Sequence, residues 1–333
     1  MRVLLYSENA KLFSKSGIGI ALQHQQQALN RIGVKFTLNW RSDYDIAHIN
    51  TVGPGSKRVL KNSRKKGKPV VWHVHTTFED IRNSFLFSNA YARLVRRWLV
   101  KLYSSADYLI FPTKYTETLI RNYGIDIPGS VISNGVDTSF FQRNEELARH
   151  FKREYNVGSS LILCVGFPFK RKGIHDFVEI ATRLPEHTFI WFGAKIAGVL
   201  PPAIRKVLRN PPKNVVFPGY IEQKKLVGAY SAADVFLFPS YEENEGIVVL
   251  EALSTQCPVV VRDIPVFNEW LKDGFNCLKA KSVDEFAEKV QLLLSDKSLS
   301  KTLAVNARAT ALERDLTSIG ETLKSVYEKI LSQ

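Results

Sequence analysis

The residues best equipped for chemistry are two glutamates flanking seven others, Glu243 and Glu251, and a basic run, Lys170-Arg171-Lys172, closed by Gly173. Carboxylates accept hydrogen bonds from sugar hydroxyls, and clustered cations neutralise a phosphate. A third candidate is His75, whose imidazole in its unperturbed state titrates near physiological pH. The elements around these residues explain how they could be positioned. Residues 235–238 form an apolar run closed by Pro239-Ser240, as expected of a parallel strand covered on both faces, and 246–253 carry apolar residues into a helix. Glu243 then falls on the turn and Glu251 about one and a half helical turns further on, able to meet different parts of one elongated ligand. Residues 161–166 are a second buried-type strand, leading into Phe167-Pro168-Phe169 and the basic run. Both turns lie at strand carboxyl ends, where open α/β sheets bind ligands and a following helix N-terminus offers donors to an anion. His75 ends the strand 69–75, with His73 one strand repeat earlier on the same face. In isolation, each feature also has a plain structural reading: an acidic loop cap, a solvated basic loop, a satisfied core histidine.

The rest of the chain alternates in the same way. Apolar segments at 3–7, 35–40, 46–50, 69–75, 108–113 and 131–133 are separated by helical patterns, which is α/β organisation. Ser16-Gly17-Ile18-Gly19 precedes a helix through Ile32 that Gly33 can end, so Gly17 and Gly19 are expected in a loop at the first strand's carboxyl end. The polar helix 142–155 is expected to link two domains, 1–155 and 156–312, with 313–333 a final helix. Ile319, Leu323, Val326, Ile330 and Leu331 give that helix an apolar face.

The run Pro239-Ser240, Glu243, Asn244-Glu245-Gly246-Ile247 and Leu250-Glu251-Ala252 resembles the signature of retaining GT-B glycosyltransferases of family 4. Pro258-Val259-Val260-Val261, Asp273-Gly274-Phe275-Asn276 and Asn134-Gly135-Val136-Asp137 extend the resemblance over most of the chain. It implies two Rossmann-like domains facing a central cleft, the last helix crossing back to the first. It implies a retaining, metal-independent hexosyltransferase using a UDP-sugar, with no cofactor; no Asp-x-Asp motif stands near the expected cleft. The carried-over roles place Glu243 on the sugar, Glu251 on the ribose, Lys172 on the diphosphate and His75 beside the donor sugar and acceptor hydroxyl. Gly17 and Gly19 would lie near the diphosphate, and Tyr220 in the segment that holds the base. Asn244-Glu245-Gly246 stands where the family has Gly-Phe-Gly and, with Ile247 after it, is where the resemblance implies that the backbone approaches diphosphate and sugar. Phe167 stands where the family has Arg, so Lys170 or Arg171 is expected to supply that charge.

A formal charge of +14 over 333 residues implies an acidic partner: nucleic acid, a nucleotide, or an anionic membrane surface. Residues 52–101 carry twelve Lys or Arg against Glu79 and Asp80, a local excess of 12 − 2 = +10. Tyr91, Leu94, Val95, Trp98, Leu99 and Leu102 follow helical spacing there, with Phe85, Leu86 and Phe87 just before, as in helices that lie on a membrane surface. A membrane glycolipid such as monoglycosyl-diacylglycerol is therefore the expected acceptor, as in bacterial diglycosyl-diacylglycerol synthases; a soluble or polyprenyl-linked acceptor is the alternative. An RNA-binding module, the reading from another class, lacks an RNP-type aromatic motif, a KH loop or a zinc pattern, so no nucleic acid is expected. Three cysteines without paired spacing suit a reducing compartment, and no apolar run reaches the ~18 to 20 residues of a membrane span. A cytoplasmic protein, peripheral on the inner face of the membrane, is expected.

Overall fold

The structure, a computed structural model, describes residues 1–9, 16–81, 88–194 and 200–333, with the side chains of 88–92 also left out. Phe85, Leu86 and Phe87 lie outside the described residues, as does the side chain of Tyr91. Two compact units are present. The first comprises Met1–Ile81, Asn89–Gly135 and Arg314–Gln333, and the second contains Val136–Glu313.

In the first unit six parallel strands, β1 (Arg2–Tyr6), β2 (Lys35–Thr37), β3 (Ile46–Ile49), β4 (Val70–His73), β5 (Tyr108–Phe111) and β6 (Gly129–Val131), run in the order β2-β1-β3-β4-β5-β6. β3, β4 and β5 are buried at every position, which is why their sequences are continuous apolar runs rather than alternating ones. The order reverses between β1 and β3, so the topological switch point lies at the carboxyl ends of those two strands. The Gly17–Arg31 helix covers one face, and the C-terminal Leu316–Leu331 helix packs against it. Gly320 permits that approach, because a Cβ there would lie 2.5 Å from the Ala28 carbonyl oxygen. Leu316, Ile319, Leu323, Val326 and Tyr327 of the last helix are buried, whereas Leu331, expected on that face, is the helix's last residue and is 40% exposed.

The second unit repeats the plan with β7 (Leu161–Val165), β8 (Thr188–Phe192), β9 (Val215–Gly219), β10 (Val235–Phe238), β11 (Val259–Arg262) and β12 (Leu278–Ala280), ordered β12-β11-β10-β7-β8-β9 and parallel throughout. Its switch point is between β7 and β10. The division falls at Gly135/Val136 rather than at 155, because the Glu145–Glu154 helix is no free linker: it packs on the Gln223–Ala232 helix, where Gly228 brings its Cα close to the Leu147 carbonyl.

Candidate active site

In the second unit, the loops leaving β7 and β10 meet at the switch point. The β7 loop makes a single turn at Lys170–Lys172 and then reverses at Gly173, whose φ is 76°. A side chain is excluded at Gly173 on both counts, since a Cβ would lie 2.3 Å from the Pro239 carbonyl oxygen. That close approach carries Lys172 Nζ onto Glu243 Oε1 in an ion pair whose side chains are 15% and 7% exposed. Ser240 Oγ donates to the same carboxylate oxygen at 2.7 Å. Backbone and side-chain bonds lace the two loops together: the Tyr241 amide donates to the Arg171 carbonyl at 2.7 Å, and the Arg171 guanidinium to the Glu242 carbonyl at 2.9 Å. Two of the residues expected to act on one ligand are thus in contact. Lys170 is exposed beside them, and Phe167, in the place of the family's Arg, stacks on Phe169 with ring centroids 5.4 Å apart.

Gly246, at φ 94°, turns the chain into the Ile247–Ser254 helix. Glu245 is buried next to it and Asn244 and Ile247 flank it, half-buried. Glu251 faces inward from the helix, 2% exposed, and accepts a hydrogen bond from Tyr230 Oη at 2.8 Å. Burial pushes its carboxyl up to about 7, the phenol bond working in the opposite sense. Tyr220 follows β9 and is 48% exposed.

The site also contains Arg262, a residue that carries no motif signal of its own. It closes β11, is 6% exposed, and donates from Nε to the Pro239 carbonyl at 3.0 Å and from Nη1 to the Lys281 carbonyl at 2.8 Å. Its other nitrogen pairs with Asp176, and its guanidinium lies 3.8 Å from the Tyr241 ring centre. Arg262 therefore clamps the strand end from which Ser240 and Glu243 project. The signal available was an arginine ending a run of three valines, because an arginine buried there needs a carboxylate partner.

In the first unit, the switch point holds a polar cluster. Gly17 and Gly19 form the first turn of a helix rather than a loop: Ser16 caps it, its Oγ accepting from the Gly19 amide at 3.3 Å. His75 lies two residues beyond β4, 7% exposed, its ring stacked on His73 with centroids 4.0 Å apart. Asn50 Oδ1, at the end of β3, sits 2.9 Å from His75 Nε2 and accepts from Gln25 Nε2 at 2.8 Å. Gln25 Nε2 also lies 3.0 Å from His73 Nδ1, and His48 joins Tyr327 of the last helix at 2.5 Å. Burial holds His48 and His75 down at about 3 and His73 well below the ordinary imidazole value, the neighbouring imidazoles adding to the effect on His48 and His73. All three rings are neutral at physiological pH and act as hydrogen-bond partners. Among the described residues, Gln25 Oε1, Asn50 Nδ2 and His73 Nε2 are buried without a partner. Each such atom costs about 1–3 kcal/mol, a cost that a merely structural core would shed by apolar substitution.

Among the described residues no group of three or more His, Cys, Asp or Glu is arranged to hold a metal ion, and no helix is long and apolar enough to cross a membrane. Two parallel, six-stranded Rossmann-like units define the GT-B architecture. Solved structures with the same fold include Anabaena Alr3699/HepE in complex with UDP and glucose, at a TM-score of 0.82 and 18% identity over 98% of this chain and 99% of that one. Sucrose-phosphate synthase from Thermosynechococcus elongatus matches at 0.84 and 17%, over 100% and 99%. Residues 146–310 match the family described as Glycosyl transferases group 1, and 22–140 match Glycosyltransferase Family 4. The chain is 38% identical over 99% of its length to a processive diacylglycerol alpha-glucosyltransferase of Acholeplasma laidlawii, covering 99% of that protein. It is 24% identical to the alpha-galactosylglucosyldiacylglycerol synthase of Streptococcus pneumoniae, over 99% of this chain and 90% of that one. The chain belongs to the family 4, group 1 glycosyltransferases.

Proposed function

We propose that this enzyme transfers a hexose, glucose in the first instance, from a UDP-sugar to a hydroxyl of a membrane glycolipid of the monoglycosyl-diacylglycerol type. The observation that carries the reading is the full-length identity to the diacylglycerol glucosyltransferase. In the reaction the bond from the anomeric carbon to UDP breaks, a bond to the acceptor oxygen forms on the same face, and the acceptor proton passes to the departing phosphate oxygen. The charge that develops on UDP is met by Lys172 with Lys170 or Arg171, and by the amides where Gly246 opens the Ile247–Ser254 helix, so that no metal is required. Glu243, already held by Lys172 and Ser240, orients the sugar. Glu251 accepts from the ribose, the segment at Tyr220 lies by the base, and His75 faces the sugar and the acceptor hydroxyl as a neutral hydrogen-bonding ring.

The acceptor's home is read from the first unit's basic surface. Lys57 Nζ lies 5.5 Å from the Trp98 ring centre, which sets the Pro54–Lys65 and Ser88–Tyr103 helices side by side. Exposed Arg58, Lys61, Lys65, Arg93, Arg97 and Lys101 accompany Leu94, which is 62% exposed although its spacing put it on the apolar face; Val95, Trp98, Leu99 and Leu102 take the inward side instead. Each cation near an anionic surface contributes about 1 kcal/mol. The test is incubation with UDP-glucose or UDP-galactose and vesicles containing diacylglycerol or monoglycosyl-diacylglycerol, with and without anionic lipid, followed by mass analysis. A hexosylated glycolipid that forms only on anionic vesicles and falls with salt is expected. Products on soluble saccharides alone would overturn the lipid acceptor, and equal activity on neutral vesicles would overturn the electrostatic docking.

A further inference from the structure

The carboxylate of Glu251 is held by a residue outside the signature that carries it. Tyr230, on the Gln223–Ala232 helix, donates from Oη to Glu251 Oε2 at 2.8 Å, and the two residues are 0% and 2% exposed. The phenol ring meets Phe141 and Phe236 edge to face, with ring centres 6.1 and 5.5 Å away, so the hydroxyl emerges from an aromatic setting onto the carboxylate. Among the described residues, Glu251 Oε1 makes no hydrogen bond. One oxygen is committed to the fold and the other is left for a ligand.

The charge on Glu251 depends on that bond. Burial pushes its carboxyl up to about 7, and the Tyr230 bond is the influence that opposes burial. Cys164 of β7 and Cys257 also face Tyr230, and burial keeps both thiols protonated; Lys172 and Glu243 face Cys164, and Arg143 and Asp234 face Cys257. Arg308, on the Lys297–Leu312 helix that packs on the helix of Glu251, donates to the Ser254 carbonyl at 2.6 Å. A buried carboxylate takes up a proton unless a donor compensates it, and here the phenol is that donor.

We propose that Tyr230 is a positioning residue for the donor's ribose: its one hydroxyl hydrogen, given to Oε2, keeps Glu251 ionised with Oε1 turned to the ribose hydroxyls. The site thereby selects ribose over deoxyribose. The inference rests on the reading of Glu251 given above.

The test is calorimetric titration of the full-length protein, without acceptor, with UDP-glucose and with its 2′,3′-dideoxyribose analogue at pH 6, 7 and 8. Wild-type affinity for UDP-glucose is expected to rise with pH as Glu251 ionises, and affinity for the analogue to stay level. Tyr230→Phe deletes the hydroxyl and keeps the ring. If the ionised share at pH 7 falls from about half to about a tenth, the apparent Kd for UDP-glucose rises roughly fivefold. The pH-dependent rise should move to higher pH, with the analogue unaffected. An unchanged pH profile in folded Tyr230→Phe overturns the proposal, as does an equal loss for both ligands, which would mark Tyr230 as a support of the helix alone. Should Tyr230→Phe fail to fold, Tyr230→Phe combined with Glu251→Ala strands no carboxylate. Its UDP-glucose affinity is expected to equal that of Glu251→Ala, because Tyr230 acts through Glu251; a further loss overturns the proposal. Glu251→Ala that still prefers UDP-glucose to the analogue as wild type does would overturn the ribose role of Glu251 itself, and the proposal with it.

Discussion

Lys172→Met separates two effects that the ion pair with Glu243 otherwise confounds. Methionine keeps most of the apolar stem and removes the ammonium. If Lys172 holds the donor diphosphate, losing a charge-assisted contact costs about 1.5–3 kcal/mol of UDP binding. At about 1.4 kcal/mol per decade, that is a rise in Kd of about 10- to 150-fold. The same change leaves the Glu243 carboxylate, 7% exposed, with the Ser240 hydroxyl at 2.7 Å as its side-chain partner among the described residues. Stranding a buried charge costs about 3–5 kcal/mol, which at about 2–4 °C per kcal/mol for a domain of this size lowers Tm by roughly 6–20 °C. Adding Glu243→Gln removes the stranded charge. The double variant should regain most of the lost Tm and none of the lost UDP affinity. Calorimetric titration with UDP at fixed salt, alongside thermal melting, reads both quantities. UDP binding to folded Lys172→Met with wild-type affinity would refute the diphosphate role. Recovery of affinity in the double variant would show that loop disorder, rather than the missing cation, caused the loss.

Glu251 predicts a pH dependence. Its folded carboxyl is raised to about 7 from the ordinary 4.5, so the native state binds the extra proton and stability falls as pH rises across that window, by roughly 3 kcal/mol once ionisation is complete. Melting of Glu251→Gln should lack that fall and exceed wild type at pH 8, while its UDP affinity drops; parallel pH profiles for the two proteins would disprove the assignment. Gly320→Val places methyls where even a Cβ would stand 2.5 Å from the Ala28 carbonyl. Overpacking of this kind costs about 1–3 kcal/mol, against a few tenths gained in helix propensity, so thermal melting should show a net loss.

What the sequence disclosed and what it withheld divide along physical lines. Strands buried on both faces announce themselves as apolar runs, and Gly173 and Gly246 mark turns because their backbones take a positive φ. The twin α/β units were therefore legible. Helix partners were not: the amphipathic Glu145–Glu154 helix looked like a linker because the helix it packs on begins at Gln223, far along the chain. The pairing of Lys172 with Glu243 spans 71 residues and depends on β7 and β10 being neighbours, which no local pattern states. It could still have been reached in two steps. Strand order in a doubly wound sheet reverses once, the reversal brings two loops together at the carboxyl edge, and the two loops carrying opposite charge are the ones that gain by meeting there. Gln25 had a signal of a different kind. It stands on the same helical face as Leu22 and Leu29, and a glutamine on an apolar face must find partners at strand ends once buried. Asn50 and His73 are those partners, and they lead to His75. Polar residues on otherwise apolar faces, followed to the atoms that must satisfy them, locate this site more directly than the glycines of its first helical turn, whose surroundings impose no need for glycine at position 17.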